Sequence, residues 1–384
     1  MRLRWAACAL VILGTLAVTV PVEAQGLNDV LIRLLSNGCQ GLNGNTSAFG
    51  PQLDQACQGG GAASTGGSTV GAETRGINDQ QQIYRRLRQR QGAASADSDA
   101  AHGMSLFGSI DYQNFDKDTT RFETGFERDT VGGTFGADYM FGGGLVVGAA
   151  LSYGHDFGSY SGGGGFDHDA YGILVYGSVV PITSLFVDGV AAYTRKDYSF
   201  DRHTSFARAG FSTSGPTTGD TSGNEFRLGV NTGYDFLFGR FTVGPRVGVL
   251  YRETTIDGFR ESGTTGLELE YNNQNIQSLT TTAGVFGSVA ISTGVGVIVP
   301  QASFEYVHEF LDDQRSVGFR LVQDPTPRRF LFQTDTPDRD YFNLGVGVSM
   351  VLPNGLQPFL NYRELVAYKD RSSHSVSLGL RVPF

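Results

Sequence analysis

From residue 104 to the end of the sequence, apolar and polar residues alternate with a period of two, the pattern of strands with one greasy face. In one stretch Phe226, Leu228, Val230, Tyr234 and Phe236 point one way, and Arg227, Gly229, Asn231, Gly233 and Asp235 the other. In the next, Phe241, Val243, Val247, Val249 and Tyr251 oppose Arg240, Thr242, Gly244, Arg246, Gly248 and Arg252. Likewise Leu145, Val147, Ala149, Leu151 and Tyr153 oppose Gly148, Ser152 and Gly154. The spacing predicts twelve strands, at 104–115, 128–141, 144–156, 168–180, 183–199, 221–237, 240–253, 275–291, 294–310, 338–352, 355–368 and 373–384. They are well beyond the roughly 5 to 6 residues usual in globular sheets.

The links between these strands sort by length. Those at 142–143, 181–182, 238–239, 292–293 and 353–354 have the two residues of a hairpin turn. Those between them, at 116–127, 157–167, 200–220, 254–274 and 311–337, are long and polar, with a short sixth at 369–372. A soluble sandwich has no reason to sort its loops by side, whereas an outer-membrane barrel has short periplasmic turns and long external loops. A tilted strand needs about 9 to 11 residues to cross a bilayer, so these strands cross it and project beyond. The expected fold is therefore all-β, a 12-stranded antiparallel transmembrane β-barrel with both its ends on the short-turn side. Aromatic residues near the strand ends suit two interfacial girdles: Tyr112, Tyr139, Phe141, Tyr153, Tyr193, Tyr234, Phe236, Tyr251, Tyr306, Phe342, Tyr362 and Phe384.

The first hundred residues follow other rules. Residues 1–24 read as a secretory signal: Arg2 and Arg4, an apolar centre, then Val22, Glu23 and Ala24 before the cleavage point. A single anchoring helix is the alternative, disfavoured by the short apolar run and the missing charged flank. Residues 25–76 show no strand pattern, include a short helical spacing at 27–35, and end in a Gly, Ser and Thr-rich linker. The mature chain keeps Cys39 and Cys57, which in an exported protein point to a disulfide of about 3 kcal/mol by the chain-entropy model. At 77–91 a helix is expected, with Asn78 as its cap and Ile83, Tyr84 and Leu87 on one face. Its other faces carry Arg85, Arg86, Arg88 and Arg90, and its apolar stripe is too thin for a core helix. Residues 92–102 read as a second linker before a barrel domain at 103–384.

Composition narrows the function classes. Beyond the signal no apolar run reaches the 18 or more residues that a spanning helix requires, and a barrel hides its hydrophobicity by alternation. A net charge of −9 argues against nucleic acid as a partner. No G-x-S-x-G, P-loop or H-E-x-x-H motif is present, so no enzyme and no cofactor are expected. His155, Asp156, Asp167, His168 and Asp169 flank one external loop as a candidate cation or acid/base cluster, against the plainer reading of a solvated loop rim.

The closing residues Val376, Leu378, Leu380, Val382 and Phe384 resemble the final strand by which bacterial outer-membrane barrels are recognised for assembly. Signal, exported segment, basic helix and terminal barrel together resemble a classical monomeric autotransporter. That likeness runs from about residue 102 to the end, through the segments at 304–310 and 344–347 as well as the closing strand. The resemblance implies a bacterial outer-membrane location and a helix threading the lumen to a passenger at the cell surface. It also implies a monomer whose partners are outer-membrane lipid, the inner-membrane secretion machinery and the barrel-assembly machinery. The passenger would be unusually short, without the repeats of a β-helix.

Inward positions fit a lumen helix, since Gly136, Gly148, Gly172, Gly229, Gly233, Gly244, Gly284, Gly345, Gly347 and Gly379 leave room. Asp111, Asp138, Asp188, Asp235 and Glu305 offer partners for its arginines, while inward Arg227, Arg246, Arg363 and Arg381 compete for them. A helix of about 14 residues spans roughly 21 Å, close to the roughly 25 Å apolar band of such barrels. A porin, or an adhesin acting through its external loops, remains open as an alternative function.

Overall fold

The computed structural model describes residues 83, 84, 87 and 103–384, apart from 121, 209, 210 and 324–328. Twelve strands form the barrel. The first six are β1 Gly103–Lys117, β2 Phe126–Met140, β3 Val146–Tyr160, β4 Gly164–Ile182, β5 Leu185–Arg208 and β6 Phe211–Tyr234. The second six are β7 Phe241–Ile256, β8 Gln274–Val289, β9 Gly296–Glu309, β10 Asp340–Val351, β11 Gln357–Val366 and β12 Arg371–Pro383. Each pairs antiparallel with the next, and β1 pairs with β12, for example Ile110 with Leu378 and Asp111 with Ser377, so the sheet closes on itself. Closure leaves no unpaired strand edge in the wall, which is what a β structure in hydrocarbon requires.

The alternation sets the two faces. Ile110, Phe135, Leu151, Ile173, Leu228, Val285, Phe304, Val346 and Leu378 all point outward and are about half exposed. An apolar belt of that extent is tolerated only against lipid. Gly239 and Gly355 take left-handed conformations, φ 61° and 80°, in two of the short turns, where a side chain would be strained.

Three departures from the expected elements appear, two of them beyond the belt. β5 and β6 run on as a ladder to Arg208 and Phe211, where the sequence pattern placed a loop at 200–220. Outside the bilayer the outward face of a strand is no longer held apolar, so the alternation that marks a lipid-facing strand is lost. The long loops also form a small second sheet, in the order Phe330–Gln333, Ser316–Leu321, Leu269–Tyr271, Phe259–Arg260. It caps an apolar cluster at the external mouth, where Phe115, Phe126, Tyr160, Phe166, Tyr198 and Phe200 of the wall meet Phe259, Leu269, Tyr271 and Phe319 of the loops. Finally, a second apolar cluster lies deeper, inside the barrel.

Candidate functional site

The lumen is the site, and its two walls differ. On β1 to β5 the inward residues Phe107, Met140, Val146, Ala150, Leu174, Tyr176, Val190 and Ala192 are apolar or aromatic and buried. Packed with them are Ile83, Tyr84 and Leu87, in helical conformation, with Ile83 and Leu87 completely buried. Two glycines shape this patch. A Cβ on Gly136 would collide with the Phe107 ring, and one on Gly148 with the Tyr176 ring, so glycine lets both rings lie flat on the wall. These two positions make room first for the barrel's own aromatics, which then meet the helical residues.

On β7 to β12 the inward face mixes many polar residues with Leu250, Phe286, Val307, Tyr341 and Leu365. Thr280, Thr282, Gln301, Asn343, Asn361, Ser373 and Ser375 line a cavity of about 170 Å³ that Tyr84 borders from the other side. Its charges pair within the wall. Arg246 bonds Asp235 and stacks on Phe186 and Phe286, with its guanidinium carbon 4.7 and 5.1 Å from the ring centres. Arg363 donates to Glu305 at 2.8 Å, and Arg381 to Gln357 at 3.0 Å and Ser105 at 3.3 Å. Deeper in β5 and β6, Lys196 and Arg227 flank Glu225 at 2.5 and 3.0 Å. Of the acids expected to serve the helix, Asp235 and Glu305 are thus held by barrel arginines. Asp138 accepts from Ser105 at 2.7 Å and Tyr176 at 3.1 Å, and Asp188 from Ser178 at 2.6 Å. Asp111 is buried on the same inner face.

At the external mouth the loops are tied down by charge. Arg202 donates twice to Glu261, at 2.8 and 2.6 Å, and Glu261 also accepts from the Leu269 amide at 2.7 Å. Burial alone would lower the Arg202 pKa, but the charge and hydrogen bonds of Glu261 outweigh it and raise it above the ordinary value. Lys117 reaches Asp335 at 2.6 Å and Glu123 at 3.1 Å, linking the first and fifth external loops. On the small sheet Arg320 and Arg260 both bond Glu270 and hold its carboxyl below the ordinary range.

The histidine and aspartate cluster does not assemble as one site. Successive residues along a strand alternate between faces while paired residues on adjacent strands share one, so His155 stands outside with Asp169 at 3.2 Å and Asp167 at 3.7 Å, while His168 and Asp156 are buried inside. Among the described residues no group of three or more His, Cys, Asp or Glu is placed to hold a metal ion. Of the remaining expected site residues, Cys39, Cys57, Asn78, Arg85, Arg86, Arg88 and Arg90 lie outside the described residues. Val376, Leu378 and Leu380 face outward on β12, Val382 is half-buried, and Phe384 is exposed at its end.

The apolar patch was not read from the sequence, although it left a trace there. Ile173, Leu174 and Val175 are apolar in succession, as are Val146 with Val147 and Val190 with Ala191 and Ala192. A strand apolar on both faces is covered on both, by lipid outside and by protein within.

A closed, lipid-facing barrel that buries helical residues of its own chain in the lumen defines a translocator class of outer-membrane protein. The chain belongs to the family described as Autotransporter beta-domain, whose model matches residues 106–363. Over 174 residues it is 29% identical to Esterase EstA of Pseudomonas aeruginosa, a match covering 43% of this chain and 25% of that protein. This chain therefore spans about a quarter of the length of that curated relative. Among solved structures it is similar to the translocator domain of autotransporter NalP from Neisseria meningitidis, with a TM-score of 0.61 at 17% identity. That likeness covers 82% of this chain and 98% of the other. It is also similar to the beta domain of the Bordetella autotransporter BrkA, with a TM-score of 0.53 at 17% identity over 73% of this chain and 100% of that one. The protein is an outer-membrane autotransporter β-barrel of a bacterium.

Proposed function

We propose that residues 77–91 form a helix seated in the lumen, and that the barrel at 103–384 uses it to display residues 25–76 at the cell surface. Residues 1–24 serve as the removed signal and 92–102 as the linker into β1, while Cys39 and Cys57 close the short passenger. The observation that carries this reading is the burial of Ile83 and Leu87 against Phe107, Leu174 and Tyr176 inside the wall. A chain held there blocks the pore and has its preceding residues directed along the lumen. Export through the inner membrane and insertion by the barrel-assembly machinery complete the scheme, with the outward residues of β12 and Phe384 as the assembly signal. The chain lacks a G-x-S-x-G elbow, so this reading assigns it transport rather than the hydrolysis named for EstA. A peptide tag inserted at Gly66 tests display: on intact cells it is expected to react with a membrane-impermeant label and to be removed by added protease. A tag reached only after the outer membrane is broken rules the proposal out.

A further inference from the structure

The wall of the barrel has an open edge on β8. Along its whole length β8 pairs with β7, but with β9 it pairs only at 280–288. β9 ends at Glu309, so residues 274–279 keep β7 on one side and have no strand on the other. Leu279 fixes which backbone groups face that gap: its amide donates to Glu309 Oε1 and its carbonyl accepts from the Phe310 amide, both at 2.9 Å. Alternate residues of a strand turn their backbone groups to the same side, so the amides and carbonyls of Asn275 and Gln277 point into the gap as well. They meet no partner there among the described residues. Tyr251 of the aromatic girdle pairs with Leu279, which puts the open stretch just above the lipid belt.

A cavity of about 330 Å³ occupies the gap, between Asn275, Gln277 and Ser278 of the edge and Leu311, Asp313 and Pro337 of the fifth external loop. A residue of a paired strand takes up roughly 3.4 by 4.8 by 10 Å, about 160 Å³, so the cavity holds two, opposite the two residues with open groups. The edge lacks the usual guards against pairing. Residues 274–278 read QNIQS, with no proline or lysine, and their register with β7 runs without a bulge. Asn275 and Gln277 are exposed, with their side chains held outward by Glu253 at 3.0 and 3.3 Å.

Charge in the cavity selects what fits. Its acids Glu309 and Asp335 are engaged by the protein's own donors, Glu309 by Ser278, Leu279 and Leu311, and Asp335 by Lys117 and Thr120. Arg371 lines the same cavity from β12 and stacks on the Tyr368 ring at 4.9 Å, but forms no ion pair among the described residues. Arg252 and Arg315 add positive charge to the lining, against one further acid, the exposed Asp313. A guanidinium in that position favours a carboxylate.

We propose that the open edge of β8 binds an extended acidic segment of another polypeptide as an added strand at the cell surface. Backbone hydrogen bonds to Asn275 and Gln277 hold the segment, and its inward carboxylates meet Arg371. The site is separate from the lumen helix and does not depend on display of residues 25–76.

Fluorescence anisotropy on the purified full chain in detergent tests it, with a labelled short peptide of alternating threonine and aspartate, which when extended places every carboxylate on one face. Saturable binding is expected. It should weaken at least about tenfold for the same peptide N-methylated throughout, and about tenfold in Gln277→Pro, which removes an open N–H and none of the bonds to β7. Arg371→Gln should weaken the aspartate peptide by a similar factor and leave a threonine and asparagine peptide unchanged. The N-methylated peptide is read on the unaltered chain, so it decides the question even where Gln277→Pro disturbs the barrel. No saturable binding, or binding untouched by N-methylation, overturns the proposal. A loss confined to Arg371→Gln leaves an anion site without an added strand and overturns it too. Self-association of the chain that Gln277→Pro abolishes in the absence of peptide makes a second copy the occupant, against the proposal.

Discussion

The two inner walls of the barrel are built from the same backbone and answer to different partners. From β1 to β5 the lumen face carries Phe107, Leu174, Tyr176 and Val190, and buries Ile83 and Leu87 completely. From β7 to β12 it carries Thr, Asn, Gln and Ser among Phe286, Tyr341 and Leu365, pairs Arg246 and Arg363 with acids of the wall, and borders open space. Burial of apolar surface is the larger and less directional force, so one wall holds what sits in the lumen and the other leaves it free to slide. A barrel with polar residues all round would have no reason to keep its occupant on one side.

Charge on the holding wall breaks that asymmetry most severely. Leu87→Asp puts a carboxylate among Phe107, Leu174 and Tyr176, and an uncompensated buried charge costs about 3 to 5 kcal/mol. The helix is expected to leave the wall, read as a rise in single-barrel current. Next comes Arg202→Ala, which leaves Glu261 buried without its guanidinium and should cost the external cap about 3 kcal/mol, read as faster amide exchange at Leu269. Gly148→Val is milder. It drives Tyr176 off the wall into the helix position and is expected to cost about 1 to 3 kcal/mol, seen as intermittent rather than steady opening. Its counterpart on the polar wall, Ser375→Val, should leave the current unchanged, and a current raised equally by both would erase the distinction between walls.

The smallest effect is that of acid on the cap. Arg320 and then Arg260 hold the Glu270 carboxyl below its ordinary 4.5. A depressed acid stabilises the fold above the ordinary range and loses that contribution as pH falls through the depressed value. Loop proteolysis on the small sheet is therefore expected to quicken slightly as the pH falls below the ordinary carboxylate range, and a rate independent of pH would remove Glu270 from the account.

What the sequence disclosed and what it hid follow from the same alternation. Within the lipid belt every outward position must be apolar, so Phe226, Leu228 and Val230 against Arg227 and Gly229 announce the strand and its faces. Above the belt that constraint lapses, and neither the β5–β6 extension nor the small sheet carries the apolar outward face that marks a strand in lipid.

 Tyr198 and Phe200 of β5 turn inward to meet Phe259 of the loops, so their apolar face answers to the cap rather than to a bilayer. The candidate cluster at His155 and His168 divides for a related reason: neighbours in sequence, such as His155 and Asp156, flank one loop while facing opposite sides of the wall. The lumen charges were legible as inward residues, but their partners were not, because the pairing of Arg363 with Glu305 depends on which strands become neighbours in space.

Planar-bilayer recording on the purified barrel tests the central claim most directly, comparing the full chain with one lacking residues 77–91. The account predicts small, brief currents from the full chain and a large, steady current once the helix is removed. Equal conductance from the two would contradict it, since the lumen would then not be sealed by its own chain.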